Sequence, residues 1–385
     1  MKIVYINTFN HGSTGRICTS LASFMKDKGN EVYCFYGREE DDSIKGWEFI
    51  GEDKLSILLN YYTGKIGSFH KANTKKLIKR LEEIKPDVIH LHNIHGNYLN
   101  FDLLFDYLSK CDAKIIFTLH DEFLATGRCA YIPANCDRRS HQCDHCQFLE
   151  DYPRAKVDRA HSLYLKKIEY LNSLKNVTFV SPSKWLQNSF LSSDIGKGRN
   201  CVVINNGFDL SKVERKEIKR ENNKIRLFAA AFEWNELKGR HILAELSQKL
   251  DLNKYELIVA GGIQDNYKFP AEIQYFPKMS KEKLAEFYLS SDIFLMPTFN
   301  DNFPTVLIES LSYGLPIISF NSGGCSEIFD SSTGVVTKER TADSLLEEIN
   351  KFDFKKFSKE NCFKRAKEFS FDKFLNKYYE IYLNK

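Results

Sequence analysis

Lys2-Ile3-Val4-Tyr5-Ile6-Asn7 runs directly into Thr8-Phe9-Asn10-His11-Gly12-Ser13-Thr14-Gly15-Arg16. The first six residues are mostly β-branched or aromatic and apolar on consecutive positions, which predicts a strand buried on both faces. A turn with two glycines follows. A helical pattern over Gly15–Lys28 then stops at Gly29, a residue suited to the position just past a helix end. The same alternation recurs downstream. Glu31–Gly37, Asp87–His92, Lys114–His120, Val177–Ser181 and Val202–Asn205 predict strands, and Ala72–Ile84 and Asp158–Ser173 predict helices. Strands of this kind separated by helices form a parallel sheet with helices on both faces.

A second series starts after the turn signal Asn205-Asn206-Gly207 and the charged stretch Lys212–Lys224. Its expected strands are Ile225–Phe232, Tyr255–Ala260, Ile293–Pro297 and Pro316–Phe320. Its expected helices are Gly239–Leu250, Lys281–Leu289, Thr305–Ser312 and Ala342–Ile349. The expected fold is α/β, with two facing doubly wound parallel-sheet domains over residues 1–206 and 207–369. Residues 370–385 read as a helix, aromatic on one face, that crosses back to the first domain. A chain of 385 residues suits two domains. Open sheets of this class bind ligands at the carboxyl ends of their strands.

Composition narrows the function. Apolar residues are 43% and charged residues 28%, which excludes wholesale disorder. Lys and Arg number 55 against 51 Asp and Glu, too even for a general nucleic-acid binder, so no nucleic-acid partner is expected. Residues 1–205 hold 28 basic and 24 acidic side chains, and the remainder 27 of each. The start reads as a strand and not a signal peptide, and no stretch approaches a membrane span, so a cytoplasmic protein is expected. Its ten cysteines then read as thiols or metal ligands.

Five places sit where such folds keep their chemistry. Gly12 and Gly15 open a helix after the first strand, where free N–H groups attract anions, although tight turns also need glycine for steric reasons alone. Asp301 lies in the loop after a strand and Glu309 in the following helix, among Val306, Leu307 and Ile308. Carboxylates so placed suit the hydroxyls of a sugar. Lys238 precedes a helix and suits a diphosphate. Gly323-Gly324 looks like another glycine loop opening a helix, and His120-Asp121 closes a strand.

In order and spacing this set resembles the family-4 glycosyltransferases of the GT-B fold, which have two Rossmann-like domains. The resemblance rests on Gly12-Ser13-Thr14-Gly15, His120-Asp121, Ser181-Pro182-Ser183-Lys184-Trp185, Asn205-Asn206-Gly207-Phe208-Asp209, Lys238-Gly239, Asp301-x7-Glu309 and Gly323-Gly324-x-x-Glu327. It implies a nucleotide-diphosphate sugar donor on the second domain and an acceptor on the first. Glu309 would bind the ribose and Asp301 the hexose, with Asn302, Phe303, Pro304 and Thr305 beside it. Lys238 would neutralise the diphosphate, Gly12 and Gly15 would approach it, and His120 would lie beside the transferred sugar. His120, Asp301 and Lys238 are thus the implied catalytic set. The implied chemistry is retaining hexosyl transfer without a catalytic metal, in bacterial surface-polysaccharide assembly. Three positions depart from the family pattern: Asp301 for Glu, Pro304 for Gly, and Glu233 for an Arg that contacts phosphate. Arg240 or Arg16 are the candidate substitutes. A nucleotide-sugar 2-epimerase, or a binding protein whose catalysis has lapsed, would share the architecture.

Three further features lie outside that set. Cys129, Cys136, Cys143 and Cys146 fall within 18 residues and suit a structural zinc ion, with His141 and His145 as alternative ligands. His90 and His92 share one face of a strand and suit a pocket wall for the acceptor better than a metal site. The basic excess around Lys75, Lys76, Lys79 and Arg80 follows Leu55–Asn60, Tyr61 and Tyr62. That combination suits an anionic membrane surface, hence a peripheral contact with the inner face of the cell membrane and a lipid-linked saccharide acceptor.

Overall fold

A computed structural model describes residues 1–39, 45–133, 135–137, 142–220, 222–277 and 279–384. It divides into two units, residues 1–204 with the chain end from Lys377, and Asn205–Asn376.

The first unit runs β1 (Lys2–Asn7), α1 (Gly12–Asp27), β2 (Glu31–Tyr36), β3 (Trp47–Phe49), α2 (Lys54–Thr63), α3 (Lys71–Ile84), β4 (Val88–Leu91), α4 (Phe101–Lys110), β5 (Lys114–Thr118), α5 (Ala160–Ser173), β6 (Val177–Ser181), α6 (Lys184–Leu191) and β7 (Cys201–Val203). The strands form one sheet in the order β3-β2-β1-β4-β5-β6-β7. Every pairing is parallel, for example Ile3 with both Val32 and Val88. The apolar runs are what bury it. Val4, Ile6, Ile89, Leu91, Ile115 and Phe117 lose essentially all contact with solvent, each stabilising the fold by about 1.5–3 kcal/mol.

The second unit runs β8 (Ile225–Glu233), α7 (Arg240–Lys249), β9 (Tyr255–Gly262), β10 (Ile273–Phe276), α8 (Lys281–Ser290), β11 (Ile293–Met296), α9 (Thr305–Ser312), β12 (Ile317–Ser319), β13 (Gly334–Val336), α10 (Ala342–Asn350) and α11 (Lys359–Glu368). Its sheet is also wholly parallel, in the order β10-β9-β8-β11-β12-β13. Apolar clusters cover both faces, one around Phe228, Phe294 and Leu307 and the other around Leu243, Leu257 and Leu295.

The last helix, α12 (Phe371–Leu383), begins in the second unit and ends in the first. Its final turns are tied into the first sheet. Tyr378 and Thr118 hydroxyls are 2.8 Å apart, and Tyr382 donates to the Tyr5 hydroxyl at 3.0 Å. The expectation that this helix crosses back is met. Gly323-Gly324 opens only a single 3-10 turn, Cys325–Glu327, and not the expected helix.

Candidate active site

In an open parallel sheet the strand order reverses at one point, and connections leave on opposite sides of it. In the second sheet that point lies between β8 and β11. The loops after β8, β11 and β12 carry Lys238, Asp301 and Gly323. Backbone and hydroxyl groups tie these loops together: Phe299 N–H donates to the Leu237 carbonyl at 2.8 Å, and Ser322 Oγ donates to the Thr298 carbonyl at 2.7 Å. Lys238 Nζ meets Asp301 Oδ2 at 2.5 Å, with the two side chains only 29% and 20% exposed. Burial works to lower the Lys238 pKa, but the charge and hydrogen bond of Asp301 raise it by more, so the ammonium stays charged. Gly323 has φ +55°, and a Cβ there would stand 1.8 Å from the Asp301 carbonyl oxygen. Only glycine lets the β12 loop lie against the Asp301 loop.

Phe303 is buried edge-on against Phe369, with ring centroids 5.5 Å apart, and its carbonyl accepts from Asn206 Nδ2 at 3.2 Å. Asn302 is half-buried beside it. Pro304 occupies the N-cap position of α9, Thr305 is its first residue, and no side chain caps that end. Glu309, one turn further on, accepts from the Tyr288 hydroxyl at 3.4 Å. Burial first, and then the Glu309 charge, hold that phenol well above its usual pKa, so it remains a donor. Tyr288 stacks on Tyr313 with ring centroids 5.3 Å apart. Sequence reasoning missed Tyr288, because its distance of 21 positions from Glu309 leaves no periodic signal.

Arg240 does not fill the place of the missing phosphate-binding Arg. Its guanidinium is held by Glu236 at 2.8 Å and by both oxygens of Asp265 at 2.6 and 2.8 Å, and it stacks on Tyr267. Arg16 is exposed in the first turns of α1. Glu233 ends β8 where the register against β9 shifts, next to Phe232, which is 86% exposed.

In the first sheet the order reverses between β1 and β4. Gly12 opens α1 with φ +71°, and a Cβ on Gly15 would lie 2.6 Å from the Asn10 carbonyl carbon. Both glycines therefore have a local backbone reason. They also leave a helix start with no side-chain cap and no acidic residue in its first turn. His120 follows β5, and its Nε2 lies 2.8 Å from His92 Nδ1, with the rings stacked 5.1 Å apart. His92 in turn lies 4.1 Å from the His90 ring, which meets Thr118 at 2.7 Å and Tyr382 at 2.5 Å. Burial depresses all three, His120 to about 4 and the others well below their ordinary value, so the stack is neutral at pH 7. Asp121 lies 2.6 Å from His95 Nε2. Burial works to raise its pKa, but His95, the Phe123 N–H and His120 together lower it by more, so it stays ionised.

The proposed surface residues divide. On α2, Leu55, Leu58, Leu59 and Tyr62 are exposed along one face. Tyr61 is half-buried under Lys156, 5.4 Å from its ring. Lys75 and Lys79 are exposed, and Lys76 donates to the Phe49 carbonyl at 2.8 Å. Arg80 is neutralised by Glu48 at 3.1 Å and Glu83 at 2.5 Å and adds no free charge.

The four cluster cysteines line one small cavity. The neighbouring Cys129 and Cys146 thiols act on each other, which holds Cys146 below the usual thiol range and Cys129 above it. His145 does not join them: its imidazole is 82% exposed beside Asp144. His141 lies outside the described residues. Among the described residues no group of three or more His, Cys, Asp or Glu is already arranged to hold a metal ion, and no helix is long and apolar enough to cross a membrane.

The family model described as Glycosyltransferase Family 4 matches residues 14–212, and that of Glycosyl transferases group 1 matches residues 211–369. A relative from Escherichia coli K12, "Putative colanic acid biosynthesis glycosyl transferase WcaC", is 28% identical over 68% of this chain. The match spans 66% of that protein's length, just under two thirds. An "Uncharacterized 41.2 kDa protein in cps region" of Klebsiella pneumoniae is 24% identical over 80% of this chain and 81% of its own length. Among solved structures, Alr3699/HepE of Anabaena, in complex with UDP and glucose, superposes with a TM-score of 0.69 at 14% identity over 99% of each chain. That likeness shows the fold alone. With both halves matched by these two family models, the chain belongs to the family-4 glycosyltransferases.

Proposed function

We propose that this protein is a retaining hexosyltransferase that moves a sugar from a nucleotide-diphosphate donor to a saccharide acceptor during bacterial surface-polysaccharide assembly. The observation that carries the reading is the charged Lys238–Asp301 pair at the order reversal of the second sheet, with Glu309 oriented by Tyr288 on the next helix. Support also comes from the names of the Escherichia coli and Klebsiella relatives and from the UDP bound by the Anabaena protein.

In this reading the donor lies against the second unit. Glu309 accepts from the ribose hydroxyls and Asp301 from a hexose hydroxyl. Lys238 and the uncapped start of α9 face the diphosphate, with Asn302, Phe303, Pro304 and Thr305 forming the wall. The bond from the sugar's anomeric carbon to the β-phosphate oxygen breaks, and the nucleoside diphosphate leaves with both electrons. One of its oxygens takes the proton of the acceptor hydroxyl, whose oxygen bonds to the same face of the sugar. Positive charge on Lys238 stabilises the departing group as its charge develops, and no metal ion is assigned to that step. The roles proposed for His120, as a neutral hydrogen-bonding group toward the sugar, and for Gly12 and Gly15, toward the phosphates, rest on the family resemblance.

The acceptor is a lipid-linked saccharide reached from the cytoplasmic side of the membrane. The exposed leucines of α2 and Tyr62 enter the lipid interface, and Lys75 and Lys79 meet anionic headgroups. The test is incubation with UDP-, GDP- and ADP-sugars, with and without lipid extracts from polysaccharide-producing cells. NMR of the product should show the donor's anomeric configuration kept. Inversion would overturn the retaining assignment. An altered donor sugar without acceptor would make the protein an epimerase instead.

A further inference from the structure

The loop between β5 and α5 draws four thiols from 18 residues of sequence onto one cavity of about 20 Å³, room for a single ion or water. The backbone is shaped around them. Gly127 N–H donates to Cys143 Sγ at 3.1 Å, and Cys146 N–H is fixed by Asp158 at 2.7 Å. Gln142, Cys143 and His145 have φ of +56°, +57° and +52°, a left-handed path that non-glycine residues adopt only at a cost.

Charge gives the second, independent observation. Arg128 and Lys167 are each only 2% exposed. Arg128 lines the cavity and donates to the carbonyls of Phe148, Leu149 and Asp151, while its Nε is buried without a partner. Lys167 donates to the carbonyls of Phe123 at 2.5 Å and Thr126 at 3.0 Å. Among the described residues neither has a carboxylate in ion-pair contact. Arg128 is answered only by carbonyls, and Lys167 by two carbonyls and by the Phe123 ring 3.3 Å from its Nζ; burial pushes the Lys167 ammonium down to about 7, so holding both charges there without an anion is costly.

We propose that Cys129, Cys136, Cys143 and Cys146 bind one Zn²⁺ as a closed structural site, with Arg128 and Lys167 as its counter-charges. Four thiols release four protons to solvent, and the resulting tetrathiolate zinc carries a net charge of −2, which the two cations balance. Four protein ligands leave no open position, so the ion braces the loop that follows His120 and Asp121 and takes no part in chemistry. This site goes beyond the proposed transfer reaction and does not depend on it.

The test uses the full chain, purified without a histidine tag from zinc-supplemented medium. Elemental analysis should give about one zinc per chain. Cobalt-substituted protein should show thiolate-to-metal charge transfer and tetrahedral d–d bands. Cys143→Ser with Cys146→Ser should lose the metal, and Lys167→Met, which keeps every thiol, should weaken zinc binding at least tenfold in competition with a chelating dye. If the cysteine variants do not fold, the cobalt spectrum of the unaltered chain decides. Less than a tenth of an equivalent of zinc, four freely titrating thiols, or a Cys129–Cys146 disulfide in the freshly isolated protein would each overturn the proposal.

Discussion

Lys238→Ala removes one half of the pair at the order reversal of the second sheet, and its consequences for stability and for chemistry should separate. Lys238 Nζ and Asp301 Oδ2 are 2.5 Å apart at partial exposure. A hydrogen bond between charged groups contributes about 1.5–3 kcal/mol, and partial exposure places this one near the lower end. The variant should therefore lose about 2 kcal/mol in urea denaturation. Asp301→Asn should recover part of that loss, because it removes the unpaired carboxylate. Chemistry should not recover. A preorganised charge facing a leaving group accounts for about 10²–10³ in kcat, or roughly 2.7–4 kcal/mol. The double variant should stay at least 10²-fold slow even where it is fully folded. The assay is a double-mutant cycle read in parallel by denaturation and by steady-state transfer. Recovery of transfer together with stability would mean that Lys238 only holds Asp301, and the leaving-group role would be refuted.

Acid should weaken the first unit before pH 4. His70, His90, His92 and His120 all have folded pKa values depressed by burial, so their contribution is present above about pH 6.5 and is lost as pH falls toward the folded values. Scanning fluorimetry should show Tm falling between pH 6.5 and 4.5, each histidine adding about 1.4 kcal/mol per pH unit; a flat Tm would contradict the neutral stack. Gly323→Ala places a Cβ 1.8 Å from the Asp301 carbonyl oxygen, so it should cost at least about 2 kcal/mol and lower kcat, measured by denaturation and transfer assay. Leu55→Gln with Leu58→Gln and Leu59→Gln should reduce sedimentation with anionic vesicles and leave Tm unchanged, since these side chains face solvent; undiminished binding would place the contact elsewhere.

The sheet centres were legible because burial on both faces writes consecutive apolar residues into a strand. β1, β6 and α9 end where the pattern ends. Three edge strands, β3, β10 and β13, were not legible: they have three or four residues, largely half-buried, and no run to read. α4, α6 and α11 did leave a signal, in the caps Asn100, Ser183 and Ser358, each accepting from a backbone N–H three residues on. At the site, residue types and loop positions could be read, but contacts could not. Lys238 and Asp301 are 63 positions apart, and the bonding of Arg240 to Asp265 depends on a loop whose path no local pattern encodes.

Calorimetric titration of UDP-, GDP- and ADP-sugars into the unaltered chain and into Glu309→Ala tests the donor site most directly. The account predicts that one nucleotide class binds the unaltered chain and that Glu309→Ala weakens that binding at least roughly tenfold, the scale of one lost charged hydrogen bond. Equal affinity in both proteins, or no binding of any of the three classes, would contradict it.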